Sequence, residues 1–166
     1  AGIRHVMINN VGQLELIKPL IGPDVVIHGG WRLNVFNSVT LSALCREGVA
    51  DAVLSPELTL PQARDIKGPK RLTVCGRIPL MICEKPIGKR QLVDRTGARF
   101  PVIRLDGRDV VLNSEITYMG DRAGELKKNG VTAPHFIFTD ETAEEAVALI
   151  KAYEAALSPD FRVRRV

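Results

Sequence analysis

Residues 24–55 read DVVIHGGWRLNVFNSVTLSALCREGVADAVLS, which places a strand, a helix and a second strand in succession. The apolar runs Asp24–His28 and Asp51–Ser55 each have the length of one buried strand. Between them, Asn37 suits a helix N-cap, apolar residues recur on one helical face, and Gly48 suits the helix end. Strands that alternate with helices in this way predict a parallel sheet covered by helices.

The same alternation continues on both sides of this stretch. Thr59-x-x-Gln62 and Thr142-x-x-Glu145 have the spacing of capping boxes, so each predicts the start of a helix. The further predicted strands are Arg4–Asn9, Arg71–Cys75 and His135–Phe138, and the further predicted helices include Val11–Ile21 and Ala123–Asn129. The last helix carries an apolar stripe of Ala143, Ala146, Val147, Ile150, Tyr153 and Leu157.

The pattern changes between Pro79 and Asn113. Short strand-like runs there are separated by the turn sequences Arg95-Thr96-Gly97 and Asp106-Gly107. The predicted strands are Gln91–Asp94, Phe100–Arg104 and Val110–Leu112. We therefore expect an antiparallel excursion from the parallel sheet.

Five strands of this kind are too few for a closed eight-stranded barrel, which needs about 250 residues, whereas this chain has 166. The expected fold is a partial (β/α) TIM-type barrel with an antiparallel excursion. We interpret residues 1–166 as a single α/β domain that is a fragment of a larger barrel. The start at Ala1, which leads directly into a strand-like segment, agrees with that interpretation.

Composition favours a reducing compartment, which we take as the cytoplasm. The three cysteines are an odd number in a chain that needs no disulfides for its stability. No apolar run is long enough to span a membrane. The formal charge of +4 is mild, and a nucleic-acid partner is not expected, since Phe161 alone offers an aromatic beside the basic clusters Lys85, Lys89, Arg90 and Arg162, Arg164, Arg165.

The familiar phosphate-binding, nucleotide-binding, zinc-protease and serine-hydrolase motifs are missing. Cys75 and Cys83 are seven residues apart, which does not suit a closed four-ligand metal site when only three histidines are present. We therefore expect no metal and no cofactor, and we expect the thiols to be structural.

Polar residues follow most of the predicted strands, at the edge where parallel α/β proteins bind ligands. Asn9 and Asn10, His28, Ser55, and Thr139 and Asp140 suit turns and caps as well as ligands. Glu57 and Arg77 follow adjacent strands, where a carboxylate and a guanidinium could grip a polar substrate or form a structural salt bridge. The sequence leaves both alternatives open.

Several motifs, in their order along residues 5 to 140, resemble peptidase family U thirty-two, the collagenase-like proteases. The matching segments are Leu33-Asn34-Val35-Phe36-Asn37-Ser38, Glu47-Gly48, Leu54-Ser55-Pro56-Glu57-Leu58, Val74-Cys75-Gly76-Arg77-Ile78-Pro79-Leu80-Met81, Leu92-Val93-Asp94-Arg95, Phe100-Pro101-Val102 and Asn113-Ser114. The resemblance implies that this chain is the C-terminal half of an (α/β) barrel. It also implies a peptidase without a settled catalytic type.

Some members of that family assist hydroxylation of RNA or ubiquinone precursors and hold an iron–sulfur cluster through four cysteines. In this chain only Cys83 falls in the loop after Met81, and Glu84–Arg90 contains no cysteine. The chain departs from the cluster-bearing members at this point, so no cluster is expected.

The leading hypothesis is therefore a peptidase-like hydrolase domain that acts on a peptide or protein. Glu57 and Arg77 are the candidate catalytic residues, with Glu57 the first to test as acid or base, and Asn34, Asn37 and Ser55 are the candidate substrate-binding residues. The alternatives are a non-catalytic interaction half-barrel and an accessory domain for RNA or ubiquinone-precursor hydroxylation. A partial barrel exposes sheet edges, so we expect self-association or pairing with the missing half-barrel.

Overall fold

The computed structural model describes residues 2–156. The strands are β1 (His5–Ile8), β2 (Val26–Gly29), β3 (Val49–Val53), β4 (Lys70–Gly76), β5 (Pro79–Cys83), β6 (Gln91–Val93), β7 (Arg99–Leu105), β8 (Arg108–Leu112), β9 (Thr117–Tyr118) and β10 (Val131–Ile137). The α-helices are α1 (Gly12–Ile17), α2 (Ser38–Arg46), α3 (Leu60–Asp65), α4 (Ala123–Lys128) and α5 (Ala143–Ala156). Short 3₁₀ turns occupy Lys18–Leu20, Trp31–Leu33 and Gly120–Arg122.

The larger sheet has the strand order β1-β2-β3-β4-β10, with β9 beside β4. Strands β1 to β4 pair in parallel, and β9 runs antiparallel to β4. Helices α1, α2 and α3 each connect two neighbouring parallel strands. The predicted parallel α/β sheet is therefore confirmed.

The predicted helix starts are also confirmed. Asn37 caps α2 by accepting a hydrogen bond from the backbone N–H of Thr40 at 2.8 Å. Thr59 and Gln62 form the expected capping box at the start of α3. In both cases the side chain satisfies a backbone N–H that has no partner inside the helix.

The smaller sheet has the strand order β5-β8-β7-β6, and the three pairings are antiparallel. The predicted antiparallel excursion is therefore confirmed. Its Asp106-Gly107 turn has positive φ at both residues, +48° and +78°, as a two-residue hairpin between twisted strands requires. The additional strand β5 was not predicted, because Leu80, Met81 and Ile82 are three consecutive exposed apolar residues without strand alternation.

The chain divides into two compact units, which we describe separately. The first unit contains the described residues up to Thr73 together with Gly124–His135, and the second contains Val74–Ala123 and the described residues from Phe136 onward. A single domain across residues 1–166 stays a prediction. No helix within residues 2–156 is both long and apolar enough to cross a membrane.

The first unit has its core around β3. Val53 and Leu54 are fully buried in or beside this strand, as is Leu41 of α2. Gly29 at the end of β2 allows this strand to pack closely against Ala52 of β3, since a Cβ at Gly29 would lie 2.8 Å from Cβ of Ala52.

In the second unit, helix α5 packs through Tyr153, whose ring meets Phe136 edge-on with 5.5 Å between centroids. Tyr153 is buried, whereas Val147 on the predicted apolar stripe is 49% exposed. The predicted apolar stripe of α5 is thus only partly buried. Leu157 of the same stripe and the basic tail Arg162, Arg164 and Arg165 with Phe161 lie outside the described residues.

Candidate functional site

Arg77, one of the two candidate catalytic residues, lies immediately after β4 in the second unit. Gly76 before it has φ +124°, and a Cβ at Gly76 would overlap the carbonyl oxygen of Ile137 in β10. Only glycine tolerates both conditions. This close approach brings Arg77 beside the residues that follow β10.

The guanidinium of Arg77 is anchored by main-chain carbonyls. Its Nη1 donates to the carbonyl oxygen of Asn113 at 3.0 Å and to that of Ser114. Its Nε lies 3.8 Å from Oδ2 of Asp140. An arginine has five N–H donors, so donors remain for a ligand after these contacts are made.

A cavity of about 540 Å³ adjoins Arg77 within the second unit. Its walls combine one cation, three carboxylates and four apolar side chains: Arg77, Asp140, Glu141, Glu145, Ile116, Ala148, Leu149 and Ala152. The volume is in the range of ligand-binding clefts in proteins. We name it the Arg77 cavity.

The three carboxylates of the Arg77 cavity differ in how they are engaged. Glu145 Oε2 accepts the backbone N–H of Thr142 at 2.8 Å, which completes the predicted capping box of α5. Glu141 Oε2 accepts the backbone N–H of Thr139 at 2.7 Å. Glu141 Oε1, by contrast, is buried and has no hydrogen-bond partner in the described part of the chain.

The other four candidate residues lie in the first unit, and the side chains of two of them accept hydrogen bonds from the backbone. The side chain of Asn37 is engaged as the α2 cap. Ser55 is fully buried, and its Oγ accepts the backbone N–H of Glu57 at 3.4 Å. Asn34 is exposed and ends the Trp31–Leu33 turn in the left-handed conformation, at φ +51°.

The structure brings Asn34 and Ser55 into one region of the first unit. The segment after Asn34 pairs with the segment after β3, because Val35 bridges Leu54 in parallel and the Ser55 N–H donates to the Val35 carbonyl at 2.9 Å. Glu57 is exposed, and its side chain has no partner among residues 2–156. A pairing of Glu57 with Arg77 stays a prediction.

A second group of polar side chains, which sequence reasoning missed, crosses the first unit from β4 to β1. Arg71 Nε donates to Asp51 Oδ1 at 2.7 Å, and His28 Nδ1 lies 2.8 Å from the same oxygen. His28 Nε2 lies 3.1 Å from His5 Nδ1, and the two imidazole rings stack. We call Arg71, Asp51, His28 and His5 the polar chain.

The electrostatics of the polar chain set the charge of Asp51. Burial alone would raise the pKa of Asp51, but the hydrogen bonds and charges of Arg71 and His28 together outweigh it and lower that pKa. Asp51 is therefore an anion held between Arg71 and His28, and Nη2 of Arg71 also lies 3.1 Å from Nδ1 of His28.

This arrangement connects an exposed imidazole, His5, through His28 to the mostly buried carboxylate of Asp51. His28 and Asp51 are 11% and 13% exposed, so their interaction is only weakly screened by water. The strand register creates this group, because polar residues at paired positions of neighbouring parallel strands fall on one face. His28 is paired with Asp51 in that register, which the sequence alone does not give.

The cysteines Cys45, Cys75 and Cys83 are free thiols. Burial, with a smaller contribution from the charge of Glu141, raises the pKa of Cys75. Across residues 2–156, no three His, Cys, Asp or Glu side chains form a group that could hold a metal ion.

Comparison with known proteins finds no family model, no curated protein and no solved structure that matches this chain. The resemblance to the collagenase-like proteases therefore stays a prediction.

Proposed function

We propose that the chain is a peptidase-like hydrolase domain, part of a (β/α) TIM-type barrel of the collagenase-like protease kind, and that the Arg77 cavity binds its peptide substrate. The position of the cavity supports this, since it lies where β4 and β10 end. Ligands of parallel α/β proteins bind at that edge of the sheet.

The observation that carries the proposal is the unpartnered Oε1 of Glu141. A buried carboxylate oxygen without a donor is costly, and a catalytic role or a bound water or ion is among the explanations for such an atom in a native protein. A water molecule or a substrate N–H would supply the missing donor. Peptides offer N–H groups and carbonyls together, and Arg77 is the complementary donor in the same cavity.

The proposed reaction needs no group beyond these side chains and one water. Glu141 takes a proton from the water, and at the same time the oxygen of the water forms a bond to the peptide carbonyl carbon. The free N–H groups of Arg77 stabilise the negative charge that develops on the carbonyl oxygen. The C–N bond then breaks, and Glu141 returns the proton to the leaving amine.

The test is cleavage of a mixed, unstructured peptide library by the full gene product. We expect E141Q and R77A each to lower kcat/KM by about 100-fold or more, the usual scale for a lost acid–base or oxyanion group. The matched control is E144Q, since Glu144 is an exposed glutamate in the first turn of α5 that does not line the cavity. Undiminished cleavage by E141Q and R77A, or no cleavage at all, would refute the proposal.

Glu57 forms a separate arm of that experiment. Its proposed role as acid or base requires E57Q to lose activity on the same scale. If E57Q is fully active while E141Q is not, the catalytic carboxylate is Glu141 and Glu57 has no part in the chemistry.

A non-catalytic interaction half-barrel is the second candidate, and exposed apolar residues of the first unit favour it. β1 stands at one end of the strand order, and Leu16 and Leu20 after it are 71% and 81% exposed. Another half-barrel or a second copy would cover such a surface. We expect concentration-dependent self-association in sedimentation experiments, abolished by L16E/L20E and retained by V39E, since Val39 is equally exposed on α2.

An accessory role in RNA or ubiquinone-precursor hydroxylation is the third hypothesis, and it rests on the resemblance alone. A cytoplasmic location stays proposed as well, supported by the three free thiols.

A further inference from the structure

A second cavity, of about 320 Å³, lies on the antiparallel sheet of the second unit. The loop between β5 and β6 forms one wall, and β7 and β8 form the other. Its lining residues are Pro86, Gly88, Lys89, Arg90, Val102, Ile103, Arg104 and Asp109. We call it the basic cavity because it holds three cations and one carboxylate.

The single carboxylate of the basic cavity is already neutralised. Asp109 Oδ1 accepts from Arg104 Nη1 at 2.7 Å, and Asp109 Oδ2 accepts the backbone N–H of Ile87 at 2.6 Å. The hydrogen bond from Arg104 and then that from Ile87 lower the pKa of Asp109, so it is an anion paired with Arg104. It has no capacity left to neutralise another cation.

Lys89 and Arg90 are therefore cations in excess. Both are exposed, and neither side chain has a hydrogen-bond or ion-pair partner within residues 2–156. Two adjacent unpaired cations repel each other, and this repulsion is relieved when an anion binds between them.

The loop that carries these cations is tied to the sheet on both sides of them. The Ile87 N–H is held by Asp109 of β8, and the Arg90 carbonyl accepts the backbone N–H of Val102 in β7 at 2.9 Å. Gly88 between them takes φ +71°, which turns the chain sharply. A short loop held at both ends presents its charges in a fixed place, which lowers the entropic cost of binding.

We propose that the basic cavity binds the phosphate group of a small phosphorylated ligand, at a site separate from the Arg77 cavity. Lys and Arg side chains complement phosphate oxygens, and arginine does so with two parallel hydrogen bonds. Val102 and Ile103 give the cavity an apolar side that suits the carbon skeleton of the ligand. The volume is at the small end of ligand pockets, which favours a small molecule over a polymer.

The experiment is isothermal titration calorimetry of the whole chain with inorganic phosphate, pyrophosphate and ribose 5-phosphate, with unphosphorylated ribose as the matched ligand control. We expect the three phosphate compounds to bind and ribose not to bind. Added salt should weaken the binding, because the contacts are between charges. No heat from any of the phosphate compounds would overturn the proposal.

The variant K89A/R90A decides whether the basic cavity is the site. We expect it to raise the Kd by about tenfold or more, as the loss of charge-assisted contacts implies. The control K127A/K128A removes the same charge from exposed lysines of α4 and should leave the Kd within about twofold. Equal weakening by both variants would mean general attraction between charges and would overturn the proposal.

A third arm distinguishes a small ligand from a nucleic acid. If a single-stranded oligonucleotide binds far more tightly than ribose 5-phosphate and loses this advantage in K89A/R90A, the occupant is a polymer and the small-ligand proposal is wrong. Folding of K89A/R90A is checked by its urea midpoint, which should match that of the unaltered chain because both side chains are exposed and neither forms a hydrogen bond or ion pair within residues 2–156.

Discussion

A charged group of the first unit and two charged groups of the second unit differ in whether their side chains are paired. In the first unit, Arg71 and Asp51 bind each other at 2.7 Å. In the second unit, the side chains of Lys89 and Arg90 have no hydrogen-bond or ion-pair partner within residues 2–156. One buried oxygen of Glu141 has no hydrogen-bond partner in the same described range. Paired charges stabilise a fold, whereas unpaired charges beside a cavity are available to a ligand, so the difference separates structural groups from candidate binding groups.

Lys70 is a second charged side chain of the first unit that is fully engaged. Its ammonium is buried and donates to the carbonyl oxygens of Ala63, Arg64 and Ile66 at 2.8, 3.1 and 2.6 Å. These carbonyls belong to the end of α3, where four carbonyls lack helical partners. Burial lowers the pKa of Lys70, yet all three ammonium donors are used, so this lysine stabilises the end of a helix and is not free for chemistry.

The largest predicted effect is on Asp51, at the centre of the polar chain. D51N keeps the shape of the side chain but leaves Arg71 and His28 without their anion. We expect the free energy of unfolding at neutral pH to fall by about 2 kcal/mol, the scale of a lost charge-assisted hydrogen bond in a mostly buried setting. Urea denaturation measures it.

The control for this prediction is D65N, because Asp65 also pairs with a neighbouring arginine, Arg64, at 2.8 Å but is 69% exposed. Water screens that pair, so we expect no measurable change. The pKa of Asp51 is lowered in the fold, so its contribution is full above its unfolded value and is lost as the pH falls through its folded value. The gap between D51N and the unaltered chain should therefore close in acid, and a gap independent of pH would contradict the role of the charge.

Local signals predicted the backbone well. The capping residues Asn37 and Thr59 and the turn at Asp106-Gly107 are found as expected, because each acts on backbone groups a few residues away. Strand β5 was missed because its sequence does not alternate between apolar and polar residues. Its formation depends on pairing with β8, whose paired residues lie 26 or more positions further along the sequence.

The candidate sites were harder to predict for a related reason. Arg77 lines a cavity, and its role in a site stays a prediction. The importance of Glu141 depends on one unpartnered oxygen, and that of the polar chain depends on register across four strands. A sequence gives the order of strands along the chain, but it does not give which side chains of separate strands face each other.

The second prediction concerns Asn37, which was a candidate substrate-binding residue. Its side chain already accepts the Thr40 N–H, so we interpret it as structural. N37A should lower the free energy of unfolding by about 1 kcal/mol, the usual cost of a lost N-cap, whereas N37D should retain the cap and the stability. Loss of substrate binding by N37D at unchanged stability, measured by calorimetry and urea denaturation, would restore Asn37 to the site.

The smallest predicted effect concerns His135, whose Nδ1 lies 3.3 Å from Oγ1 of Thr73 in the first unit. Burial and then the charge of Arg71 lower the pKa of His135. Below about pH 6.5 the unfolded chain therefore binds a proton that the folded chain resists, so stability falls as the solution is acidified. H135N removes the titrating imidazole. Its free energy of unfolding should therefore fall less than that of the unaltered chain when the pH is lowered from about 7.5 to about 5.5.

T73V is the matched control, since it removes the long hydrogen bond but leaves the imidazole in place and should keep the pH dependence. If H135N and T73V respond to pH alike, the protonation of His135 is not what couples stability to pH, and the prediction is wrong.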